Sequence, residues 1–482
     1  MIGRFLHQTW RLLRWLFAAL ALLLCGLIAV AWWVNRHDDP PLPEITAAMR
    51  FAPPTPEAMD NNAYFTLLGL DAPPSEDAAA TGQRRFAADM RAYAHYRQTG
   101  EIKPLPDDDV PASPPGMSPL RCPAEADDCY AHYLAHAPAI KDKLTEQATL
   151  IARYLSLREK PVYEEIIPPY IAQQLPPYGT AVVASELIDM RAALLLKEQR
   201  LDEALAMMEV NADIHRRLAL GSRTLVGAMI ALAMDLRQQR MLASALHHLP
   251  ALADRHAQRL EALVKSSAPV PLTAVLEGDR KMVLAYMEDA ISGKMVTLNT
   301  DAGQFEEEEN PVTEWLRERW FNLLYLPNAT CNSYYLSWQE PIHLSRLPPD
   351  QLAAAKAAPT PKPDEAASPG DFPFFPLRNY NGNILLSIAK PDITDFIERA
   401  HDIEGYHRLV RLQIAARREH IPFAQMPAWL AAQPPELRNP YTLQPMDWDA
   451  TTQSLQFAGR QPQSQNPEPR NIYRLRLGTA TD

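Results

Sequence analysis

The stretch WLFAALALLLCGLIAVAWWV, residues 15–34, contains neither a charged residue nor a proline. An α-helix rises ~1.5 Å per residue, so a helix of this length covers a hydrocarbon core of ~30 Å. A continuous helix also pairs its backbone polar groups internally, as a lipid environment requires. The sequence therefore predicts one transmembrane helix at residues 15–34, and no later apolar run has spanning length.

The charges on either side of this stretch predict its orientation. Arg4, Arg11 and Arg14 precede it, whereas Arg36 is the one nearby cation that follows it. Basic flanks stay in the cytoplasm. We therefore expect residues 1–14 to be cytoplasmic and the long C-terminal part to lie in the periplasm, anchored in a bacterial inner membrane.

A cleaved signal peptide is the competing interpretation. Ala29-Val30-Ala31 fits an A-x-A cleavage site, and the basic start fits a signal peptide. The apolar run continues through Trp32, Trp33 and Val34, past that site, which favours a retained signal-anchor. Lipid attachment at Cys25 is disfavoured because Leu24 precedes it, where a small residue is normally needed.

Composition bounds the fold and the partners. The chain has 482 residues, 47% of them hydrophobic, and a formal net charge of −11. So acidic a chain, with no basic stripe, argues against a nucleic-acid partner. It has 45 prolines but only 17 glycines, which favours helices joined by stiff connectors over a turn-rich β protein. The prediction is a mainly α fold.

Proline-rich segments divide the chain. Residues 35–56 predict an extended stalk that lifts the globular part off the bilayer. Residues 57–357 follow as a helical domain, and residues 358–376 form a second Pro-rich linker. Residues 377–482 make a C-terminal α+β region.

Helical periodicity is clearest after residue 180. The apolar positions that share one helical stripe are Leu187, Met190, Leu194, Leu201, Leu205 and Met208. KEQR at residues 197–200 interrupts the stripe as an inter-helix turn would. KEQRLDEALAMM and RQQRMLASALHHL resemble each other at an offset of about 40, as in an αα-hairpin array. Two units are fewer than a solenoid needs, so a helical bundle is favoured.

Other helix signals flank this region. A helix is predicted over about 127–157, where Pro138 would kink or divide it. Gly221-Ser222 indicates a helix end followed by an N-cap. A helix opening at Asn310-Pro311 and a long helix over about 392–420 follow.

The tail changes character. Strands are predicted near residues 446–449 and at 454–457. NIYRLRL, residues 471–477, alternates apolar and basic positions as a half-buried strand does. A small antiparallel sheet should therefore pack against the C-terminal helices.

The cysteines offer a disulfide or a metal site. Cys122 and Cys129 are seven apart in RCPAEADDCY, and an oxidising periplasm favours a disulfide between them. With His132 and His136, which share a helix face, they also form a Cys₂His₂ set that can hold zinc. We favour the disulfide, because oxidised cysteines are not thiolate ligands, and expect no metal or other cofactor.

Two E-x-x-H units lie on one predicted helix. They are Glu398 with His401, and Glu404 with His407. A six-residue step turns the helix by ~600°, so the histidines point ~120° apart and do not share an ion. We expect solvated surface pairs. The acidic run at residues 306–309 is likewise expected to be a solvated loop, and no common catalytic motif occurs.

Several segments carry a family resemblance. They are DNNAYFTLLGLDAPPSEDAAATG from residue 60, RYLSLREKPVYEE from 153, NYNGNILLSIAKPD from 379 and RNPYTLQPMDWDATTQSLQF from 438. In these segments the chain resembles an uncharacterised family of single-pass inner-membrane proteins of Gram-negative bacteria. That resemblance implies a large periplasmic helical domain and no known activity.

The C-terminal tail carries a second resemblance. Its long helix, IPFAQMPAWL and NPYTLQPMDWD are similar to the tail of type II secretion pseudopilins, which have a D-P-[FY]-x-G-x-P loop. Asn439 stands where that loop has Asp, and Leu443 where it has Gly. The resemblance implies a small α+β tail.

These features favour a membrane-anchored scaffold or protein-interaction module, more than an enzyme. We expect the membrane and an envelope protein as its partners. One specific version is a membrane-tethered neutraliser of a toxin or effector. The alternative is an envelope enzyme, hydrolase-like, whose site is assembled from scattered residues and has no sequence signature.

Overall fold

The computed structural model describes residues 2–99, 116–123, 126–168, 173–265, 271–291, 315, 319–357, 377–389, 393–460 and 472–477. The predicted linker at 358–376, the acidic run at 306–309 and the start of the helix predicted from Asn310-Pro311 lie outside these residues. The mainly α fold with a small C-terminal sheet is confirmed.

The helices of the described residues follow one another along the chain. Those of the N-terminal half are α1 (Ile2–Asn35), α2 (Pro43–Ala48), α3 (Pro56–Asp60), α4 (Ala63–Leu68), α5 (Ala78–Thr99), α6 (Cys129–Ala135), α7 (Ala137–Glu146), α8 (Ala148–Ser156), α9 (Tyr178–Lys197) and α10 (Leu201–Gly221). Those of the C-terminal half are α11 (Leu225–His248), α12 (Ala251–Lys265), α13 (Leu272–Ile291), α14 (Pro327–Ser337), α15 (Gln339–Leu344), α16 (Pro349–Ala357), α17 (Tyr380–Ala389), α18 (Thr394–Arg418) and α19 (Met426–Ala431). Residues 319–323 are also helical.

Helix α1 contains the apolar stretch. Its part Leu13–Asn35 is long and apolar enough to cross a membrane, and only 6% of that window is buried inside the protein. A core helix of this hydropathy would be covered by its neighbours, so this exposure is the pattern typical of an anchor or a signal sequence.

The segment after α1 is hydrogen-bonded to the domain. The Asp38 carboxylate accepts the backbone N–H groups of Asn328 (2.8 Å) and Ala329 (3.0 Å). These N–H groups belong to the first turn of α14, where a helix offers no internal acceptor. Arg378 lies 2.5 Å from Asp39 in an ion pair. Asp38 and Asp39 are therefore bonded to the domain at this end.

Helices α9, α10 and α11 form the centre of the domain. The stripe residues Leu187, Met190 and Leu194 are buried, as their periodicity predicts. Helix α9 is buried nearly all round, because α8, α10 and α11 all pack against it. The predicted helix over 127–157 is divided into α6, α7 and α8, and Pro138 lies in the first turn of α7. Proline's lack of an N–H breaks no helical hydrogen bond there, because N–H groups in the first turn have no acceptor inside the helix.

Two capping details differ from the sequence prediction. The Ser222 hydroxyl donates to the Leu218 carbonyl and so closes α10. The N-cap of α11 is Thr224, whose Oγ1 accepts the Gly227 N–H at 3.2 Å. Glu165, which is buried, accepts the backbone N–H groups of Arg223 and Thr224.

Helix α18 joins the helical core to the C-terminal sheet. It packs against α11 and α12, and also against β2 (Ser454–Ala458) and β3 (Ile472–Arg476). The sheet order is β1-β2-β3, antiparallel, with β1 at Asp447–Asp449. All three strands are therefore where the sequence predicts them.

Candidate functional site

The predicted disulfide is present. Cys122 and Cys129 are joined, with Cα atoms 5.3 Å apart. The loop that they close is fixed to α11, because Arg240 donates to the Pro123 carbonyl at 3.2 Å and Asp128 lies 2.6 Å from His248 Nε2. Hydrogen bonds from Ser244, Ala131 and His248 lower the pKa of the Asp128 carboxyl, against the opposing effect of its burial.

The alternative metal set is not assembled. His132 and His136 do lie together on one helix face, with ring centroids 4.5 Å apart. The sulfur atoms of Cys122 and Cys129 are bonded to each other and are not thiolates. Over the described residues, no group of three or more potential metal-ligating side chains is found.

The E-x-x-H units are not solvated surface pairs, as the sequence had suggested. Glu398 is 6% exposed and bonded to Lys356 at 2.8 Å, and His407 is 9% exposed with Nε2 2.6 Å from Asp235 Oδ2. Glu404 pairs with Arg408, and that cation and His401 hold the pKa of its carboxyl down at about 2. The surface prediction failed because α18 is covered from several sides, which a single helix sequence does not reveal.

A serine–histidine pair lies in the interior. Ser185 Oγ is 2.7 Å from His215 Nε2, and burial lowers the pKa of His215 to about 4. Asn211 donates to Asp189 at 3.0 Å, and burial raises the pKa of that carboxyl well above its usual range. Ser185 and His215 are 1% and 2% exposed. No substrate reaches them in this conformation, so they form a buried network between α9 and α10.

The strongest candidate site is a recess at the C-terminal end of α18, which we call the Arg417 recess. Its volume is about 490 Å³. It lies between the start of α12, the end of α18, the turn before α19 and the end of β3. The residues that line it are Pro250, Ala251, Asp254, Ala416, Arg417, His420, Ile421, Pro422, Phe423, Met426 and Leu477.

Arg417 is the unusual group in this recess. Its Nε and Nη2 atoms are buried and have no hydrogen-bond partner in the part of the chain that the structure describes. Burial lowers the pKa of its guanidinium, and the nearby Asp254 carboxylate opposes that effect. A desolvated cation of this kind is costly until an anion pairs with it. Its place in the last turn of α18 offsets part of that cost through the helix dipole.

The next residue, Arg418, makes ordinary surface ion pairs. Arg418 donates to Glu261 at 2.8 Å and to Glu419 at 3.2 Å. It is exposed, with a relative side-chain exposure of 46%. The two arginines therefore differ in environment although they are adjacent in sequence.

The other charged groups of the recess are weakly engaged. His420 Nε2 is 3.8 Å from Asp254 Oδ1, and both side chains are largely exposed. The opposite wall is apolar and includes Phe423 and Met426. The recess thus combines one desolvated cation with an apolar surface, which suits a ligand that carries a carboxylate beside an apolar group.

A second depression is less suitable. It has a volume of about 540 Å³ and is lined by Leu155, Arg158, Glu159, Ala206, Met207 and Val210. Its cation, Arg158, already has Asp213 at 3.8 Å and is 55% exposed. Its lining therefore gives no reason to expect a charged ligand there.

No pattern in the sequence indicates the Arg417 recess. Arg417-Arg418 at a helix end is an ordinary complement to the helix dipole. The recess forms from three segments that are far apart in the chain, residues 250–254, 416–426 and 477, so no local sequence spacing indicates it. No family model, no curated protein and no solved structure matches this chain.

Proposed function

We propose that the protein is a membrane-anchored protein-interaction module, held in a bacterial inner membrane by α1 with its helical domain in the periplasm. The excess of arginines before residue 15 supports this orientation. The disulfide supports an oxidising compartment, because intracellular reductants keep thiols reduced. The expected partner is an envelope protein.

The observation that carries this proposal is the Arg417 recess. Arg417 is a half-buried cation that lines the recess, and a cation is the complement of a carboxylate. The apolar wall is the complement of a neighbouring apolar side chain. An acidic and apolar segment of a partner protein offers both groups. Its volume of about 490 Å³ is within the ~300–1,000 Å³ of ordinary binding sites.

The junction with α1 adds a second reason. The bonds from Asp38 to α14 and from Arg378 to Asp39 fix the domain against the end of the anchor. A domain held in this way presents its recess at a set height and direction relative to the bilayer. This fixed height and direction reduce the number of orientations that the domain and an envelope partner must sample before they bind.

The test is purification of the tagged full-length chain from membranes in a mild detergent, followed by mass spectrometry. An unrelated single-pass protein with the same tag is the control. We expect one envelope protein in stoichiometric amount with this chain and not with the control. Recovery of the chain without a partner in each of several mild detergents contradicts the proposal. Substrate screening is then the next experiment.

A further inference from the structure

Helix α17 leaves a stripe of large apolar side chains uncovered. Tyr380, Ile384 and Ile388 are 46%, 42% and 77% exposed. Their spacing of four residues places them on one face of the helix. The helix, YNGNILLSIA, contains no charged residue. Single exposed apolar residues are ordinary, but a continuous stripe marks a contact surface.

The beginning of α17 lies at the end of the membrane helix. Asn35, the last residue of α1, donates to the Leu377 carbonyl at 2.9 Å and accepts the Asn379 N–H at 2.8 Å. Arg378 donates to the His37 carbonyl at 3.3 Å. Residues 377–379, directly before α17, are therefore hydrogen-bonded to Asn35 and His37, where the chain leaves the apolar stretch.

Aromatic side chains surround the same place. Asn381, in the first turn of α17, donates to the Phe321 carbonyl at 2.9 Å. Trp320, next to Phe321, is 49% exposed. Trp32 and Trp33, near the end of α1, are also exposed. Tryptophan and tyrosine rings prefer the level of the lipid headgroups.

We infer that α17 is a second membrane contact, which lies in the headgroup region of the bilayer that α1 spans. Tyr380, Ile384 and Ile388 contact lipid, and the exposed Asn383 and Ser387 beside them contact headgroups. This inference rests on the proposed membrane span of α1 but not on a protein partner. Two attachments to one bilayer restrain the tilt of the domain.

The experiment places an environment-sensitive NBD fluorophore on the full-length chain in lipid nanodiscs. The label is attached to Ile388→Cys, in a chain that also carries Cys25→Ala so that the native span cysteine does not react. The matched control is Ile472→Cys, an exposed isoleucine on β3. Cys331 is buried, and the remaining two cysteines are in the disulfide. A label on native Cys25 reports the span itself.

Nitroxide-labelled lipids quench a fluorophore that touches the bilayer. We expect emission from position 388 to shift to the blue and to be lost on adding these lipids, as at Cys25 and unlike position 472. Emission at 388 that is as insensitive as at 472, with Cys25 quenched, overturns the inference and leaves the span intact. A blue shift at 388 without quenching also overturns it, because protein then covers the stripe. Unquenched emission at Cys25 contradicts the span and the inference together.

Discussion

The Asp38 carboxylate accepts the backbone N–H of Asn328 at 2.8 Å, across 290 residues of sequence. Asp38 comes three residues after the end of α1, and Asn328 is in the first turn of α14. A carboxylate at the start of a helix is favourable because it accepts N–H groups that have no partner inside the helix and faces the positive end of the helix dipole. Helix α1 and the domain are therefore joined by a specific hydrogen bond and not by chain connectivity alone.

Replacing Asp38 by Ala should loosen this junction. Loss of a side-chain acceptor at a helix start costs about 1 kcal/mol, so the residues around Asp38 should separate from the domain more often. Limited trypsin digestion of membrane vesicles measures this as faster cleavage after Arg36. Glu57→Ala, an exposed acidic position in α3, is the control and should cleave at the wild-type rate. Equal rates in all three chains would show that the cap does not hold the junction.

Asp279 should make the domain less stable at high pH. Burial raises the pKa of its carboxyl to about 7, whereas the unfolded value is near 3.8. The folded state therefore keeps the proton between these values, and stability is lost as the pH rises through 7. Asp279→Asn has no proton to lose and should still accept the Leu225 N–H. Relative to wild type it should gain stability from pH 5 to pH 8, by at most about 3 kcal/mol, since only the two units between pH 5 and the pKa contribute.

Chemical unfolding of the detergent-solubilised chain at the two pH values tests this. The control is Asp142→Asn, which removes the same charge from an exposed position of α7. A gain at pH 8 that is no larger for Asp279→Asn than for Asp142→Asn would mean that Asp279 is ionised in the folded protein at both pH values.

His215 should give the opposite dependence. Its pKa is lowered by burial to about 4, against about 6.5 when unfolded. The unfolded state then binds the proton first, so stability is fully present above pH 6.5 and is lost as the pH falls towards 4. The full loss is about 3 kcal/mol. His215→Gln keeps an amide near Ser185 but does not titrate.

The stability of His215→Gln should therefore fall less than that of wild type between pH 7 and pH 4.5. Unfolding curves of both chains over that interval measure the difference. An equal loss of stability in the two chains would mean that His215 binds its proton as readily in the folded state as in the unfolded state, contrary to the prediction.

The Cys122–Cys129 bond should stabilise the domain and report its compartment. In the chain-entropy model, opening a disulfide loop of this size lowers the stability of the domain by about 2 kcal/mol. Cys122→Ser combined with Cys129→Ser should lower the midpoint of thermal unfolding, and reductant should lower it in wild type but not in the double variant. Free thiols at both positions in chain isolated from membranes would contradict a periplasmic domain.

Local patterns predicted the parts of the fold that depend on neighbours in sequence. The stripe through Leu187 and Met190, the alternation of NIYRLRL and the spacing of Cys122 and Cys129 each correspond to what is found. In each case periodicity or loop length alone limits the structure.

Features that need distant segments were missed. His407 was expected to be solvated because Glu and His side chains are mostly exposed, but Asp235 of α11 lies 2.6 Å away and both side chains are buried. The Asp38 cap joins residues 290 apart. Arg417 and Arg418 are identical residue types in one helix turn. Arg418 donates to Glu261, whereas two nitrogen atoms of Arg417 have no hydrogen-bond partner among the described residues, and only the packing around them explains this difference.

This difference between the two arginines permits the most direct test of the proposed function. Arg417→Gln and Arg418→Gln are to be purified from membranes in parallel with wild type, and the co-purifying envelope protein quantified by mass spectrometry. Both variants should fold, and Arg417→Gln should unfold at the wild-type temperature or above it because it removes a desolvated charge. We predict that the partner is lost with Arg417→Gln and retained with Arg418→Gln. Equal recovery of the partner with both variants would contradict the Arg417 recess as the binding site.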